Sequence, residues 1–208
     1  MTSASMPTPG KIVCVGRNYA AHAREMGNDV PKEPLLFLKP PSSIIRAGEA
    51  IVLHPVSGHI EFEGEIALVV GTRMRRVSES EARAGISHVV AMNDVTARDL
   101  QKNDGQWARA KGLDTFCPLG EPAPVPDDLS TITVVTTVNG VECQRATAAD
   151  MVFSIPMLLS YISQYLTLEP GDIVATGTPA GTKQLNPGDV VEVQLVGLSS
   201  VSNPVVAG

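Results

Sequence analysis

Aromatic residues are scarce, with four Phe, three Tyr and one Trp in 208 positions, so any core must be assembled mainly from Val, Ile, Leu and Ala. Cysteine is scarce as well. Cys14, Cys117 and Cys143 are odd in number, far apart and in no metal-binding or redox spacing, which argues against a disulfide framework or a zinc site. Reduced, packed thiols and a cytoplasmic setting are expected instead. Basic charge is in deficit: 16 Lys and Arg against 22 Asp and Glu leave a net charge of −6, and the pI is near 5.2. Without a Lys/Arg cluster, neither a nucleic-acid partner nor an anionic membrane surface is indicated. No run is suited to crossing a membrane either. The one long uncharged stretch, 151–168, is interrupted by Ser154, Pro156, Ser160, Ser163 and Gln164 and reads as a mostly buried helix. The opening MTSASMPTPG has no apolar signal core and no Arg-rich amphipathic pattern, so residues 1–10 read as a flexible tail.

Apolar and turn-forming residues are plentiful. Hydrophobic residues make up 43% of the chain, enough for one sizeable core and a single domain over 11–208. The 18 Gly and 16 Pro punctuate short apolar runs, a pattern of strands more than of a helical bundle. Strands are expected in KIVCVG from 11, PLLFLK from 34, IVLHP from 51, EIALVVG from 65 and HVVAMND from 88. A second group comprises ITVVTTV from 132, VECQRA, DIVATG from 172 and DVVEVQL from 189. Asn139-Gly140 joins two of these as a hairpin, because a type I′ turn needs two residues that tolerate positive φ. Helices are expected at 18–26, 78–87, 95–103 and 148–166. Ser78 with Glu81, and Thr147 with Asp150, have the spacing of capping boxes. The Pro-rich stretch 121–130 connects the two strand groups. The fold class is therefore mainly β with peripheral helices (α+β), since strands and helices do not alternate as a doubly wound sheet requires.

Chemistry concentrates in HIEFEGEIALVVG. Glu61, Glu63 and Glu65 occupy alternate positions and so share one strand face. Carboxylates this close repel one another, which leaves two readings: a solvated strand end, or a site for a bound cation. Asp94 ends HVVAMN and reads either as a turn or helix N-cap residue or as a third acid of the same cluster. If Glu63, Glu65 and Asp94 converge, an all-oxygen set favours Mg²⁺ or Mn²⁺ over zinc. His22 and Glu25, three apart in NYAAHARE, share a helix face, as an exposed charge pair or as a functional one.

Five motifs in order, VGRNYAAHAREMG (15–27), EFEGEIALVVG (61–71), MNDVTARDLQ (92–101), WARAKGLDTFCPLG (107–120) and GDIVATGTPAG (171–181), cover nearly the whole chain. Through them it resembles the catalytic domain of the fumarylacetoacetate hydrolase superfamily, in particular the small acylpyruvase, oxaloacetate decarboxylase and dienedioate isomerase branch. The resemblance implies a β-roll of mixed sheets, usually a homodimer, with a divalent cation held by Glu63, Glu65 and Asp94, and Glu61 outside the ligand set. It further implies that Lys111 reaches the substrate's carboxylate or oxo group and that Gln101 lies near the substrate. Thr178 in TGTPAG would hold a substrate carboxylate, and Arg17 would be a cation close to the site. His22, oriented by Glu25, would be a water-activating base on a lid near residues 18–33.

The leading expectation is a Mg²⁺-dependent enzyme of 2-oxo acids. It would hydrolyse the C–C bond of an acylpyruvate of the fumarylpyruvate or acetylpyruvate type, or decarboxylate oxaloacetate. Isomerisation of 2-hydroxyhepta-2,4-diene-1,7-dioate in aromatic catabolism is the alternative within enzymes. A non-catalytic metal- or ligand-binding protein is the alternative outside them.

Overall fold

The computed structural model describes residues 8–27 and 29–208. In chain order the first half comprises β1 (Ile12–Gly16), α1 (Ala20–Glu25), β2 (Leu35–Lys39), β3 (Ile44–Ile45), β4 (Ile51–Leu53), β5 (Ile60–Glu61) and β6 (Gly64–Val70). Then follow α2 (Glu79–Ala84), β7 (Ile86–Asn93), β8 (Thr96–Ala97), α3 (Arg98–Asn103), α4 (Ala108–Lys111), β9 (Cys117–Pro118) and β10 (Ala123–Pro124). The second strand group is β11 (Thr133–Val138) and β12 (Val141–Thr147), then α5 (Ile155–Tyr165), β13 (Ile173–Ala175), β14 (Val190–Leu195) and β15 (Ser199–Ala207).

Two mixed sheets carry the fold, one ordered β10-β7-β6-β13-β1-β2 and the other β12-β11-β14-β15-β4. All seven residues of β6 are buried, as expected of a strand apolar on both faces. One face of the first sheet contributes Val13, Ile66, Leu68 and Val89 to a core shared with Val134, Val193 and Val201 of the second sheet and with Leu158 and Ile162 of α5. The opposite face carries Cys14, Ala67, Val90 and Ala175, which join Cys117 of β9 in a smaller apolar cluster. The site lies on this second face. The chain is thus mainly β with peripheral helices, arranged as a β-roll.

Local rules explain most boundaries. Asn139 and Gly140 have φ of 51° and 77° and close the β11–β12 hairpin. Ser78 and Glu81 form the expected capping box on α2. Thr147 and Asp150 form the same box on a single 3₁₀ turn. The helix expected over 148–166 therefore starts late, at Ile155, with Ser154 as its cap and Pro156 in its first turn. The helix expected from 95 starts at Arg98, because Thr96 and Ala97 pair with Glu61 and Ile60. The stretch 121–130 is more than a connection, since Ala123 and Pro124 pair with β7. Of the tail expected over 1–10, residues 1–7 lie outside the described residues, and Pro9 is already buried. The longest strand not anticipated in the sequence is β15, nine residues long. Pro204 within it pairs with Val190 at the end of the β14 register. Among the described residues no helix is long and apolar enough to cross a membrane.

Candidate active site

The antiparallel register of β6 and β7 sets Gly64 opposite Asn93 and Glu65 opposite Met92, so the start of one strand meets the end of the other. Glu63 and Glu65 flank that start, and Asp94 leaves that end. The Asp94 N–H donates to the Glu63 carbonyl at 2.8 Å, and the Asn93 Oδ1 accepts the Glu63 N–H at 2.9 Å. One carboxylate oxygen from each of Glu63, Glu65 and Asp94 lies within 4.8 Å of the others, and all three residues are buried. The solvated strand end is therefore excluded, and so is an N-cap role for Asp94, because α3 is preceded by Ala97. Glu61 stands apart, as anticipated, paired with Arg98 at 2.7 Å and His59 at 2.9 Å.

Cations surround two of the three acids. Glu63 accepts from Lys111 Nζ at 2.7 Å and from Arg98 Nη1 at 2.6 Å. Asp94 accepts from Lys111 at 2.6 Å through Oδ2 and from Lys39 at 2.6 Å through Oδ1. Burial would raise the Glu63 carboxyl, but Lys111 and Arg98 outweigh it and hold Glu63 well below the usual carboxylate range. Burial would likewise lower Lys111, and Asp94 with Glu63 outweigh it, raising the ammonium above its ordinary value. Glu65 differs. Among the described residues its carboxylate receives only the Gly177 N–H, at 2.8 Å. Burial, Asp94 and Glu63 push Glu65 well above the carboxylate range. Lys111 offsets this only in part, and a buried carboxylate with no direct ion-pair partner among the described residues, beside two others, is what a hard oxygen-seeking cation fits.

A cavity of about 320 Å³ opens over this cluster. Its wall holds Glu63, Glu65, Lys111, Arg17, His22, Gln101 and Thr178, so of the residues the resemblance assigns to the site only Asp94 and Glu25 do not border it. Phe37 and Trp107 supply the apolar side, edge to face at 5.3 Å, and the Lys111 ammonium sits 5.0 Å from the Phe37 ring centre. Lys111 is thus no solvated surface cation. His22 is 6% exposed, and its Nδ1 lies 3.1 Å from Glu25 Oε2. Because a carboxylate only accepts, Nδ1 donates to it, and in the neutral ring Nε2 is the nitrogen without a proton. Gln101 Oε1 accepts from Arg98 Nη1 at 2.9 Å, which makes it a partner of the Glu63 support. The Thr178 hydroxyl donates to the Gly64 carbonyl at 2.9 Å and accepts from Gln144 Nε2 at 2.8 Å. Arg17 ends β1 in the left-handed region at φ 61°, a strained conformation for arginine.

Two cations of the site were not singled out in the sequence. Lys39 is the one buried residue of β2, and Arg98 is 2% exposed. Their signal was weak. A Lys closing PLLFLK reads as a strand leaving the core, and Arg98 reads as one charge among several in TARDLQKND.

The chain belongs to the fumarylacetoacetate hydrolase family: the fumarylacetoacetate (FAA) hydrolase C-terminal family matches residues 11–206. It is 44% identical over 198 residues to the Arabidopsis thaliana protein named oxaloacetate tautomerase FAHD1, mitochondrial, covering 92% of this chain and 88% of that one. A crystal structure of 5-carboxymethyl-2-hydroxymuconate delta-isomerase from Mycobacterium smegmatis matches with a TM-score of 0.88 at 42% identity, over 97% of this chain and 80% of that chain. One of 2-hydroxyhepta-2,4-diene-1,7-dioate isomerase from Mycobacterium marinum matches with a TM-score of 0.87 at 40% identity, over 96% and 75% respectively. The protein is an enzyme of this family.

Proposed function

We propose that the enzyme moves a proton next to the carbonyl of a 2-oxo dicarboxylic acid, interconverting enol and keto forms of oxaloacetate or isomerising a 2-hydroxy-dienedioate. The observation that carries this reading is the pairing, in one cavity, of an uncompensated Glu65 with a His22 whose Nε2 is free to take a proton. Glu63, Glu65 and Asp94 would hold Mg²⁺ or Mn²⁺, which when bound supplies Lewis-acid stabilisation to charge developing on the 2-oxo oxygen. Around that centre the chain's own groups divide the work. Lys111 and Arg98 keep Glu63 ionised, and Lys39 does the same work of charge pairing at Asp94. Four carboxylates, Glu61 included, face three cations here, so a divalent ion turns the local charge positive and favours an anionic substrate. Arg17 and Lys102 in the cavity wall are placed to pair with its carboxylates. His22 Nε2 would accept the proton at carbon or oxygen and return it, with Glu25 fixing the tautomer. Trp107 and Phe37 limit water at the reacting atoms.

Hydrolysis of an acylpyruvate, or decarboxylation of oxaloacetate, stands second, although the sequence reading put it first. The relatives' names favour proton transfer, whereas the His22–Glu25 pair would equally take a proton from water. An NMR time course on metal-stripped protein with oxaloacetate, a 2-hydroxy-dienedioate and acetylpyruvate, with and without Mg²⁺, tests both. Mg²⁺-dependent enol–keto conversion, lost in Glu65→Gln and slowed in His22→Gln, is expected. Conversion that needs no cation and survives both substitutions would overturn the reading, and pyruvate release from acetylpyruvate alone would put hydrolysis first.

A further inference from the structure

Gln144 lies on β12, in the second sheet, and takes no part in the chemistry assigned above, yet it is 1% exposed and its amide is fully engaged. Its Oε1 accepts the N–H of Gly64, the residue between Glu63 and Glu65, at 3.0 Å. Its Nε2 donates to Thr178 Oγ1 at 2.8 Å and to the Pro179 carbonyl at 2.7 Å. One side chain thus ties the carboxylate-bearing strand to the loop 176–181. That loop faces two ways. At one end the Gly177 N–H holds Glu65. At the other the Gly181 N–H donates to both oxygens of Glu25, at 3.1 and 3.2 Å, and Glu25 in turn holds His22 Nδ1.

Local backbone geometry explains why Gln144 can do this. Opposite β11 the register passes from Thr136↔Gln144 to Thr137↔Glu142, so Cys143 is the extra residue of a β-bulge. Bulges re-aim the side chains next to them, and this one turns Gln144 toward the loop. The Cys143 carbonyl presses on the same loop: a Cβ on Gly181, whose φ is +106°, would come within 2.1 Å of it.

We infer that Gln144 is a positioning residue that sets the His22–Glu25 pair in register with the Glu63–Glu65–Asp94 cluster through the 176–181 loop. The inference rests on the acid–base role proposed for His22, but its test does not need turnover. With ¹⁵N-labelled histidine in the full chain, the His22 ring of the parent protein should show one protonated and one bare nitrogen. Both Gln144→Met and Glu25→Gln should bring the two resonances together as the tautomers mix. Enol–keto conversion of oxaloacetate should fall about 10–100-fold in Gln144→Met, the usual loss for a supporting partner, mostly in kcat. The same substitution in a Glu25→Gln background should cost little more, because both act on one path. Unchanged His22 nitrogens in Gln144→Met, with Glu25→Gln altering them, would overturn the inference, as would fully additive losses. If Gln144→Met does not fold, Thr178→Val, which removes the hydroxyl that Gln144 holds, is read in the same way.

Discussion

Lys111 lies between Glu63 and Asp94, where its ammonium would compete with the proposed divalent cation for neighbouring carboxylates. Removing it from the metal-free protein leaves Glu63 with Arg98 and Asp94 with Lys39, short of one buried positive charge. Breaking a buried pair in this way costs roughly 3–5 kcal/mol. Lys111→Met should therefore lower the Tm in chelator by about 6–20 °C, at the 2–4 °C per kcal/mol usual for a chain of this size. Added Mg²⁺ should recover more of that in the variant than in the parent, and equal Tm values in chelator would remove the structural role. A second outcome at this scale concerns the thiols. Burial pushes Cys117 up to about 12 and Cys14 well above its ordinary value, and both are fully buried, while Cys143 is partly exposed. Only thiolates react readily with a disulfide reagent, so the folded protein should titrate one thiol quickly and lose it in Cys143→Ser. The three clustered acids were legible in the sequence because carboxylates beside an all-apolar strand are conspicuous. Lys39 was not, because the partner that makes sense of it, Asp94, is 55 residues away.

At the scale of elements, the cluster depends on how closely β6 approaches β11. A Cβ on Gly64 would lie 1.9 Å from Thr136 Oγ1, so only glycine lets the ligand-bearing strand pack there. Gly64→Ala should destabilise by about 1–3 kcal/mol through overpacking and weaken divalent-cation binding in the same protein, because the strain falls between two ligands. Thr136 Oγ1 is buried without a hydrogen-bond partner among the described residues. Thr136→Ala should consequently cost little alone and restore much of what Gly64→Ala loses, a coupling that thermal unfolding and calorimetric Mg²⁺ titration of the four proteins would measure. Additive losses would mean that the contact is not the cause. Elements with a local signal were legible: the Asn139-Gly140 hairpin, the Ser78 cap and the buried β6. Ribbons of two residues, such as β3 with β9 and β5 with β8, have no local signal, since their pairing is set by segments far apart in the chain. β15 was hidden by Pro204, and the bulge at Cys143 by the absence of any glycine to mark it.

For the whole molecule, the cluster couples folding to pH, and the proposed divalent cation would couple to it as well. Burial and the charges of Asp94 and Glu63 hold Glu65 above the usual carboxylate range. A group raised on folding contributes stability at pH below its unfolded value, near 4.3 for Glu, and loses that contribution as pH climbs toward the folded value. Glu63 works in the opposite sense: Lys111 and Arg98 outweigh its burial and depress it, so its contribution is complete above the ordinary range and is lost only in strong acid. From just above the ordinary carboxylate range up to the folded value of Glu65, then, Glu63 is level and Glu65 sets the cluster's slope, at most about 1.4 kcal/mol per pH unit. In chelator the protein should lose stability across this window as pH rises, relative to Glu65→Gln, which has no such group to ionise. Histidines and surface carboxylates are common to both proteins and cancel in the difference. A bound divalent cation reverses the balance, because it favours ionised Glu65. At a free concentration 100-fold above its Kd it adds about 2.7 kcal/mol, and the gain should grow with pH in the parent while staying small in Glu65→Gln. Thermal unfolding of both proteins at about pH 5, 6, 7 and 8, in EDTA and in Mg²⁺, gives the comparison. Parallel curves in EDTA would show that Glu65 already has a counter-charge in the folded chain, and the case for a cation at that carboxylate would fail with it.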